Sequence, residues 1–429
     1  MAAATDAATE EDLPAPRTAT LILTTRDGEV LGVLPPFPVA TPWWQDAEAV
    51  VQGARQHHRI DVIVLRMVET ERPAPPGGRV SYLVEVVGDP AAVRGTVAHV
   101  GIAPSPDDER AVEEHALRMP WARPGGPDAD VAWARAAASA RGLRSTGPPE
   151  QVRTWNLSSL WRLPLTDQTA WLKVVPPFFD HEGALLERLE GAPVPRLIAH
   201  AANRMLLAEI PGEDLYEAPL PRLLDMVSLL VALQRAWTDR LDELLGLGLP
   251  DRRAGMLGPA ITEVIRRGIA DVPRGARAAL RRFVDGLDDR LAEVARCGIA
   301  DTLVHGDFHP GNFRGSRDDG SSLVLLDWGD SCVGHPLLDE AAFLDRIPAR
   351  CVPIVRRHWH AEWRRAVPGS DPERATALLA PVAAARQAVI YQEFLDAIEP
   401  SEHPYHRQDP AAWLIRTAAL VTGVGNHDR

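Results

Sequence analysis

The sequence is poor in the features that mark secreted, membrane and nucleic-acid-binding proteins. Only three cysteines occur in 429 residues, and they form no C-x-x-C pair, so we expect reduced thiols in a cytoplasmic protein. No run of about 18 apolar residues is present, and the first residues lack the basic start and apolar segment of a signal peptide, which argues against a membrane partner or secretion. Basic residues number 46 against 59 acidic ones, so no nucleic-acid partner is expected.

Lysine and asparagine are also scarce. Of the 46 basic residues, only Lys173 is a lysine. A residue type this depleted persists either by chance or where arginine cannot replace it, and the count alone does not decide between these explanations. The asparagines are Asn156, Asn203, Asn312 and Asn426.

Composition divides the chain into an N-terminal and a C-terminal part. Residues 1–17 are acidic and rich in Ala and Pro, which predicts a disordered tail. Residues 18–105 have the pattern of a small α/β domain. Residues 106–149 are expected to form a helical linker that ends in Pro- and Gly-rich clusters. The individual predictions are a hairpin with strands at 18–25 and 29–36 and a turn at Arg26-Asp27-Gly28, further strands at 61–69 and 80–88, and helices at 47–58, 107–118 and 129–141.

A second domain is expected to begin near residue 150. Residues 150–210 are β-rich and residues 211–429 mainly helical, with Pro211-Gly212 as the break between them. This order predicts a two-lobed α+β fold, preceded by the small α/β accessory domain, with a cleft as the default ligand site. The predicted strands are 152–163, 169–176, 195–200 and 204–210, and the predicted helices are 181–190, 218–238, 276–297, 354–366, 373–397 and 410–422.

Two segments interrupt the helical pattern. LVHGDFHPGNF contains glycine and proline and predicts a loop that carries Asp307 and Asn312. SLVLLDWGDS, at 322–331, is typical of an apolar strand that ends at Asp327. Two adjacent loops of this kind would bring three oxygen-bearing side chains together, and such ligands suit Mg²⁺.

With these motifs, the chain from about residue 150 to 429 resembles the aminoglycoside phosphotransferase family, protein-kinase-like enzymes that phosphorylate small molecules. The resemblance implies a protein-kinase-like fold with a β-rich N-lobe and a helical C-lobe. The residues that carry it are His305-Gly306-Asp307 with Asn312 for the catalytic loop, Leu326-Asp327-Trp328 for the metal-binding segment, and Gly334-His335-Pro336-Leu337-Leu338-Asp339 for a downstream G-x-P-x-x-D.

The resemblance implies a role for each residue of the two loops. Asp307 would orient the acceptor hydroxyl and accept its proton, for which a carboxylate suffices because phosphoryl transfer depends mostly on positioning and charge neutralisation. Asn312 and Asp327 would hold Mg²⁺ against the triphosphate of ATP or GTP. The alternative for all three is a structural role, since Asp and Asn also form turns.

The β-rich part would supply the phosphate contacts. Lys173 matches the lysine that binds the α- and β-phosphates, where a compact ammonium fits better than a guanidinium; its alternative is an edge-strand position. Glu182 would hold this lysine, with Glu187 as the second choice. The turn at 156–161 carries Ser158 and Ser159 in place of the family's usual glycines.

The remaining motif residues have less specific roles. The segment Leu206–Gly212 is similar to the family's hinge, where the backbone of Ala208 and Ile210 would bond the base. His305 is expected to bond its own loop, and His309 either touches substrate or fills the loop. Asp339 is expected to cap the helix that follows it.

The N-terminal domain faintly resembles a degenerate Nudix fold. It lacks the glutamates of the hydrolase signature, so it is interpreted as an accessory domain for packing, dimerisation or ligand sensing. The sequence leaves a homodimer open.

The main hypothesis is a Mg²⁺-dependent kinase that transfers the γ-phosphoryl group to a hydroxyl of a small molecule, such as an aminoglycoside or another antibiotic or metabolite. A catalytically silent nucleotide- or ligand-binding pseudokinase is the rival, and a kinase–hydrolase with two activities is the third hypothesis. The acceptor remains open between a cationic and an apolar molecule. The carboxylates considered for it are Asp330, Glu393, Asp396, Glu399 and Glu402, and the aromatic residues are Tyr391, Phe394 and Tyr405.

Overall fold

The structure, a computed structural model, describes residues 15–317 and 323–423. The chain forms two compact units. The first contains the residues up to Pro176 together with Leu395–Arg407, and the second contains Pro177–Phe394 and the residues from Gln408 onward. The predicted α+β class is confirmed, because strands dominate the chain up to about residue 208 and helices dominate after residue 220. No helix of the described residues has the length and apolar content needed to cross a bilayer.

The first unit opens with a four-stranded sheet and two helices. The elements are β1 (Arg17–Thr24), β2 (Val30–Val39), α1 (Ala47–His58), β3 (Val62–Thr70), β4 (Gly78–Val86) and α2 (Pro90–Val100). The strand order is β2-β1-β4-β3, with β1 parallel to β4 and the other pairs antiparallel. Alternate strand residues pack against Val50 and Ala54 of α1 to form the core.

The segment after this sheet is less helical than predicted. It contains α3 (Pro106–Arg110) and α4 (Gly126–Ala140). The predicted helix 107–118 is wrong beyond Arg110. The reason is that the Ala111 carbonyl accepts a hydrogen bond from Arg66 Nη2 at 2.6 Å, which replaces the bond that a continuing helix would make there.

Three antiparallel strands complete the first unit: β5 (Glu150–Trp155), β6 (Ser158–Leu165) and β7 (Gln168–Val174). The single strand predicted at 152–163 is wrong, because Asn156 and Leu157 form a turn that divides it. The turn predicted at 156–161 is therefore reduced to two residues, and Ser158 and Ser159 lie on β6.

Strand β5 is joined to the first sheet region by hydrogen bonds. The amide group of Gln151 bonds both the N–H and the carbonyl of Val64, at 2.8 and 2.7 Å. The Thr154 N–H donates to the Gln45 carbonyl at 3.0 Å. The first unit therefore includes both residues 18–105 and the strands β5–β7.

The second unit begins with a helix, two short hairpin strands and a series of helices. Its elements up to residue 296 are α5 (His181–Arg188), β8 (Leu197–Ala201), β9 (Arg204–Ala208), β10 (Glu213–Asp214), α6 (Leu220–Ala236), α7 (Leu241–Gly246), α8 (Ala254–Gly268), α9 (Arg274–Asp285) and α10 (Leu287–Arg296). The helix predicted at 276–297 is two helices, because Gly286 ends one and begins the next. Helices α7 and α8 were not predicted, since Gly255, Gly258 and Pro259 weaken the helical pattern of α8.

The rest of the second unit consists of short strands and four helices. These are β11 (Thr302–Val304), β12 (Phe313–Gly315), β13 (Val324–Leu325), β14 (Cys332–Gly334), α11 (Leu338–Leu344), α12 (Val352–Ala366), α13 (Pro372–Ala397) and α14 (Asp409–Thr422). The strand predicted at 322–331 is only Val324–Leu325, because Asp327 adopts a left-handed backbone conformation (φ 61°) that ends the extended run; residue 322 lies outside the described residues. β12 pairs with β10 and β13, and β11 pairs with β14.

Candidate active site

The loop after β11 has a backbone conformation that requires glycine. Gly306 has φ 91°, and a Cβ atom at this position would lie 2.0 Å from the Asp330 carbonyl oxygen. Both the positive φ and the close contact exclude a larger side chain. The glycine therefore sets the path of the chain immediately before Asp307.

Asp339 holds this loop through hydrogen bonds to its backbone. Its carboxylate accepts from the backbone N–H of His305 at 3.0 Å and of Gly306 at 2.8 Å, and Gln234 Nε2 also donates to it. The prediction that Asp339 caps the following helix is wrong, because these three donors occupy its carboxylate. Burial raises the pKa of Asp339 to about 6, while the two backbone hydrogen bonds act to lower it.

Arg386 also holds this loop, and no short sequence motif indicates it. This fully buried side chain of α13 donates to the Gly306 carbonyl at 3.3 Å and to Cys332 Sγ at 3.5 Å. The signal that could have revealed it is a single charge within the apolar run Pro381–Ile390, since a charge in such a place needs a buried partner.

His305 links the two loops. It is completely buried, and its Nε2 lies 2.9 Å from the Leu326 carbonyl oxygen, so it bonds the neighbouring segment and not its own loop. Burial lowers the pKa of His305 to about 4, despite the opposing carboxylates of Asp307 and Asp327. The imidazole is therefore neutral at ordinary pH and acts as a donor from Nε2.

The side chains of Asp307 and Asn312 lie in direct contact. Asn312 Nδ2 donates to the Asp307 backbone carbonyl at 2.8 Å and lies 3.2 Å from Asp307 Oδ2. The Asn312 carbonyl accepts from the backbone N–H of Leu326 at 2.8 Å, and Phe313 pairs with Leu325 in the β12–β13 ladder. The exposed Asp327 follows directly, so the structure brings Asp307, Asn312 and Asp327 to one end of this ladder.

His309 and Arg346 stabilise the ionised form of Asp307. His309 Nε2 lies 3.4 Å from Asp307 Oδ2, and Arg346 Nη1 lies 3.7 Å from Oδ1. Burial raises the pKa of Asp307, but the hydrogen bond and electrostatic interaction with His309 and the charge of Arg346 outweigh it and hold the pKa well below its ordinary value. His309 thus orients Asp307, and Arg346 is a second residue that the sequence did not indicate.

Glu182 lies beside the segment Leu326–Trp328, which contains the predicted metal ligand Asp327. It is buried on α5, and its Oε1 accepts from the backbone N–H of Trp328 at 3.2 Å. Glu187, the second choice, is mostly exposed and lies 3.5 Å from His200 Nε2. The two glutamates thus have different surroundings, and only Glu182 contacts the segment that contains Asp327.

In the first unit, Lys173 lies on β7 opposite Leu160 of β6. Side chains alternate between the faces of a strand, so Ser158 shares the face of Leu160 and Lys173, while Ser159 faces the other side. Ser159 is buried, and its Oγ accepts from Trp161 Nε1 at 2.9 Å. The hydroxyl of Ser159 is therefore separated from Lys173 by the strand itself.

The predicted hinge begins at the end of β9. The Ala208 N–H donates to the Arg196 carbonyl at 2.9 Å, so a base contact at this residue would use its carbonyl oxygen. Ile210 lies two residues further on, outside the regular secondary structure.

The structure separates the residues considered for the acceptor. Glu399, Glu402 and Tyr405 are buried within the first unit, so they are not available to an acceptor pocket of the helical unit. Glu393 is paired with Arg252 at 2.9 Å. Glu393 lines one small cavity of about 100 Å³ together with Asp330 and Phe394, beside the buried Arg386.

The cysteines and the candidate metal ligands were also considered as possible metal-binding groups. Cys297, Cys332 and Cys351 are free and buried, as expected. No group of three or more His, Cys, Asp or Glu side chains within 15–317 and 323–423 is arranged to hold a metal. Asn312 and Asp327 offer one amide oxygen and one carboxylate, a donor set that suits Mg²⁺ when phosphate and water supply the other ligands.

Comparison with known proteins gives one family. The sequence profile of the phosphotransferase enzyme family matches residues 156–378, just over half of the chain. No curated protein sequence matches the chain.

Several solved structures are similar to this chain. The macrolide 2'-phosphotransferase MphH from Brachybacterium faecium is 18% identical, with 65% of this chain and 97% of that chain covered and a TM-score of 0.48. The GDP complex of aminoglycoside 2'-phosphotransferase-IIIa is 14% identical, with 68% and 97% covered and a TM-score of 0.45. An ethanolamine kinase from Plasmodium vivax is 13% identical, with 64% and 81% covered and a TM-score of 0.45.

Proposed function

Because the chain belongs to the phosphotransferase enzyme family and is a small-molecule phosphotransferase, we propose that it transfers the γ-phosphoryl group of ATP or GTP to a hydroxyl of a small molecule, such as an aminoglycoside or another antibiotic or metabolite. Asp307 is the proposed catalytic base, and Asn312 and Asp327 are the proposed Mg²⁺ ligands. Lys173 and Ser158 are proposed to contact the phosphates, with Glu182 as the partner of the lysine. Because the hydroxyl of Ser159 faces away from Lys173, only the backbone of Ser159 is proposed to contact the phosphates.

The observation that carries the proposal is the contact between Asn312 and Asp307, with the backbone bond from Leu326 to Asn312. It groups one carboxylate of lowered pKa with an amide oxygen and a second carboxylate. This is the composition that phosphoryl transfer requires, because the reaction depends on orienting the hydroxyl and neutralising phosphate charge. Bound Mg²⁺ would supply that neutralisation at the triphosphate oxygens.

The proposed step is a direct displacement. The acceptor hydroxyl oxygen forms a bond to the γ-phosphorus, the bond from this phosphorus to the β–γ bridging oxygen breaks, and the nucleoside diphosphate leaves. The hydroxyl proton passes to the Asp307 carboxylate. Asp307 is ionised at neutral pH and is therefore ready to accept it, and His309 and Asn312 keep it oriented.

The base-binding contacts belong to the same proposal. The Ala208 carbonyl and the backbone of Ile210 are proposed to bond the edge of the adenine or guanine. The catalytically silent alternative gains no support from the family match, and the arrangement around Asp307 gives no reason to prefer it.

The test is a panel of hydroxylated compounds incubated with the full-length protein, Mg²⁺ and either ATP or GTP. We expect one class of compound to gain the mass of one phosphoryl group, with an equal amount of nucleoside diphosphate released. Asp307→Asn should lower kcat by about 100-fold or more, since the variant can neither accept the proton nor repel a misplaced phosphate.

The matched control is Asp225→Asn, the same change at a half-exposed aspartate that pairs with Arg222 on α6. It should leave kcat unchanged. Nucleotide binding without any phosphorylated product across the panel would contradict the proposed function.

A further inference from the structure

We call Leu395–Arg407 the returning segment. It belongs to the first unit, whereas the residues before and after it, up to Phe394 and from Gln408, belong to the second. Within it, Pro400–Tyr405 form a 3₁₀ helix that packs against β3. Tyr405 packs edge-on against Trp44, which lies within residues 18–105 (here called the first domain), and against Trp155 at the end of β5. The ring centroids are 5.6 and 5.5 Å apart, respectively. The returning segment thus contacts both the first domain and the β5–β6 hairpin.

At the hairpin, the returning segment holds the turn through its asparagine. Asn156 is completely buried. Its Nδ2 donates to the Glu402 carbonyl at 3.4 Å, and its Oδ1 lies 3.0 Å from His406 Nε2, which donates to it. Because both ends of the side-chain amide are bonded, the turn cannot move without leaving buried polar groups unpaired.

At its other contact, the returning segment is fixed by a buried ion cluster. Glu399 Oε1 lies 3.2 Å from Arg66 Nε of β3 as an ion pair, and Glu399 Oε2 accepts a hydrogen bond from Arg118 Nη2 at 3.1 Å. All three side chains are 5% exposed or less. Arg66 also donates to Ser401 Oγ at 3.2 Å. Removing one member of such a cluster would leave an uncompensated buried charge, so the attachment to the first domain is firm.

We propose that residues 18–105 act, through the returning segment, as a positioning device for the Asn156–Leu157 turn and thereby set the affinity for the nucleotide. The inference rests on the proposed function, because it assigns the nucleotide phosphates to this hairpin. The turn contains no glycine, and holding it in one conformation before binding reduces the ordering cost of capturing a ligand. His406 and Asn156 are positioning residues in this scheme.

The experiment compares two histidine substitutions in the same segment. His406→Ala removes the donor to Asn156. His403→Ala removes a half-buried ring whose Nε2 lies 3.3 Å from the Ile398 carbonyl oxygen, within the returning segment itself. Binding of Mg·ATP and Mg·GTP to the full-length protein is measured by titration calorimetry, with steady-state kinetics on the accepted compound. We expect His406→Ala to weaken nucleotide binding by about fivefold to tenfold, the effect of one lost hydrogen bond.

The nature of the effect separates positioning from general damage. His406→Ala should raise the KM for nucleotide, with kcat and the KM for the acceptor nearly unchanged. His406→Gln, whose amide can still donate to Asn156, should restore much of the affinity, and His403→Ala should bind like wild type. Equal affinities of His406→Ala and wild type would overturn the inference.

A second variant covers the case in which His406→Ala does not fold. Ser401→Ala removes the hydroxyl that accepts a hydrogen bond from Arg66 and so loosens the attachment of the returning segment to β3. Because this segment holds the Asn156–Leu157 turn, we expect faster amide hydrogen exchange at residues 155–158 in the protein without nucleotide. Unchanged exchange would overturn the positioning role. A wild-type protein that binds neither nucleotide would instead overturn the proposed function, and this outcome is distinct because the exchange experiment needs no nucleotide.

Discussion

The solitary lysine of the chain is the residue on which the proposed phosphate contact depends. In the first unit, Lys173 lies on the face of the β6–β7 hairpin that Ser158 also shares. An arginine would keep the charge, but its wide planar group would need a different arrangement of phosphate oxygens. We expect Lys173→Arg to lower kcat/KM by about 100-fold, the usual effect of losing one charge-stabilising donor.

The measurement is steady-state kinetics on the accepted compound. The control is the reverse exchange, Arg153→Lys, at an exposed position of β5, which should leave kcat/KM unchanged. Near-normal activity of Lys173→Arg would remove the lysine from the proposed site.

Glu402 is a buried acid that makes stability depend on pH. Its Oε1 has no hydrogen-bond partner among the residues that the structure describes. Burial, and next the negative charge of Glu399, raise its pKa to about 8 from an ordinary value of 4.5. Between these values the folded protein holds a proton that the unfolded chain has released, so the free energy of unfolding falls as the pH rises through this window.

We expect Glu402→Gln to remove that dependence, since an amide mimics the protonated acid and does not titrate. The stability of the variant relative to wild type should increase steadily between about pH 5 and about pH 8, measured by urea denaturation. The exposed Glu217→Gln should show a constant difference. A constant difference for Glu402→Gln as well would contradict the assignment.

Among the elements, the loop after β11 depends most on a single backbone conformation. Gly306 and Gly369 have nearly the same left-handed φ, 91° and 89°, but a Cβ at Gly306 would meet the Asp330 carbonyl, whereas nothing lies within 4 Å of a Cβ at Gly369. Each Gly→Ala change therefore imposes the same backbone strain, and only one adds a collision with the loop that carries Asp327.

We expect Gly306→Ala to lower kcat by about 100-fold or more, because displacing Asp307 by about 1 Å is enough to disrupt an oriented reaction. Gly369→Ala should cost only stability, about 1 kcal/mol. Kinetics and thermal unfolding of the two variants give the comparison. Similar kcat values would show that the close contact at Gly306 is unimportant.

The elements differ in how well the sequence predicts them. Helices α12, α13 and α14 were predicted to within two residues, because their apolar residues recur at helical spacing over three or more turns. Helix α8 was missed because two glycines and a proline weaken the local pattern, while the packing of Leu257, Ile261 and Ile265 stabilises the helix. Long-range contact also ended α3 early, through Arg66, and no local pattern shows such a contact.

The same distinction holds for the candidate site. Asp307, Asn312 and Asp327 could be identified because each lies in a short motif whose residues are adjacent in sequence. Arg346, Arg386 and the role of Asp339 could not be predicted, because these side chains reach the loop from parts of the chain distant in sequence: Asp339 from α11, Arg346 from the turn after α11, and Arg386 from α13. Ser159 is a predicted phosphate contact because the sequence predicts a turn at 156–161. In the structure Ser159 lies on β6, where side chains alternate between faces, and its hydroxyl points away from the face that carries Lys173.

At the scale of the whole molecule, the first unit joins the N-terminal domain, the strands β5–β7 and the returning segment around one buried ion cluster. We expect Glu399→Ala to destabilise this unit by about 3–5 kcal/mol, since Arg66 and Arg118 would stay buried without their partner. Amide hydrogen exchange should then increase together in β1, β4 and β5–β7.

The comparison variant is Glu393→Ala, which removes a half-exposed glutamate from its pair with Arg252. It should cost about 1 kcal/mol or less. Faster exchange in β1 and β4 with no change in β5–β7 would show that these parts unfold separately.

The position of Glu399 also bears on how the protein is made. Arg118 leaves the ribosome 281 residues before the glutamate that neutralises it, so the N-terminal unit cannot reach its final state while only its own strands have been synthesised. Closing so long a loop is slow, and an incompletely folded chain exposes hydrophobic surface of the kind that chaperones bind. Translation stopped anywhere before residue 399 would release a first unit that lacks the counter-charge for its core.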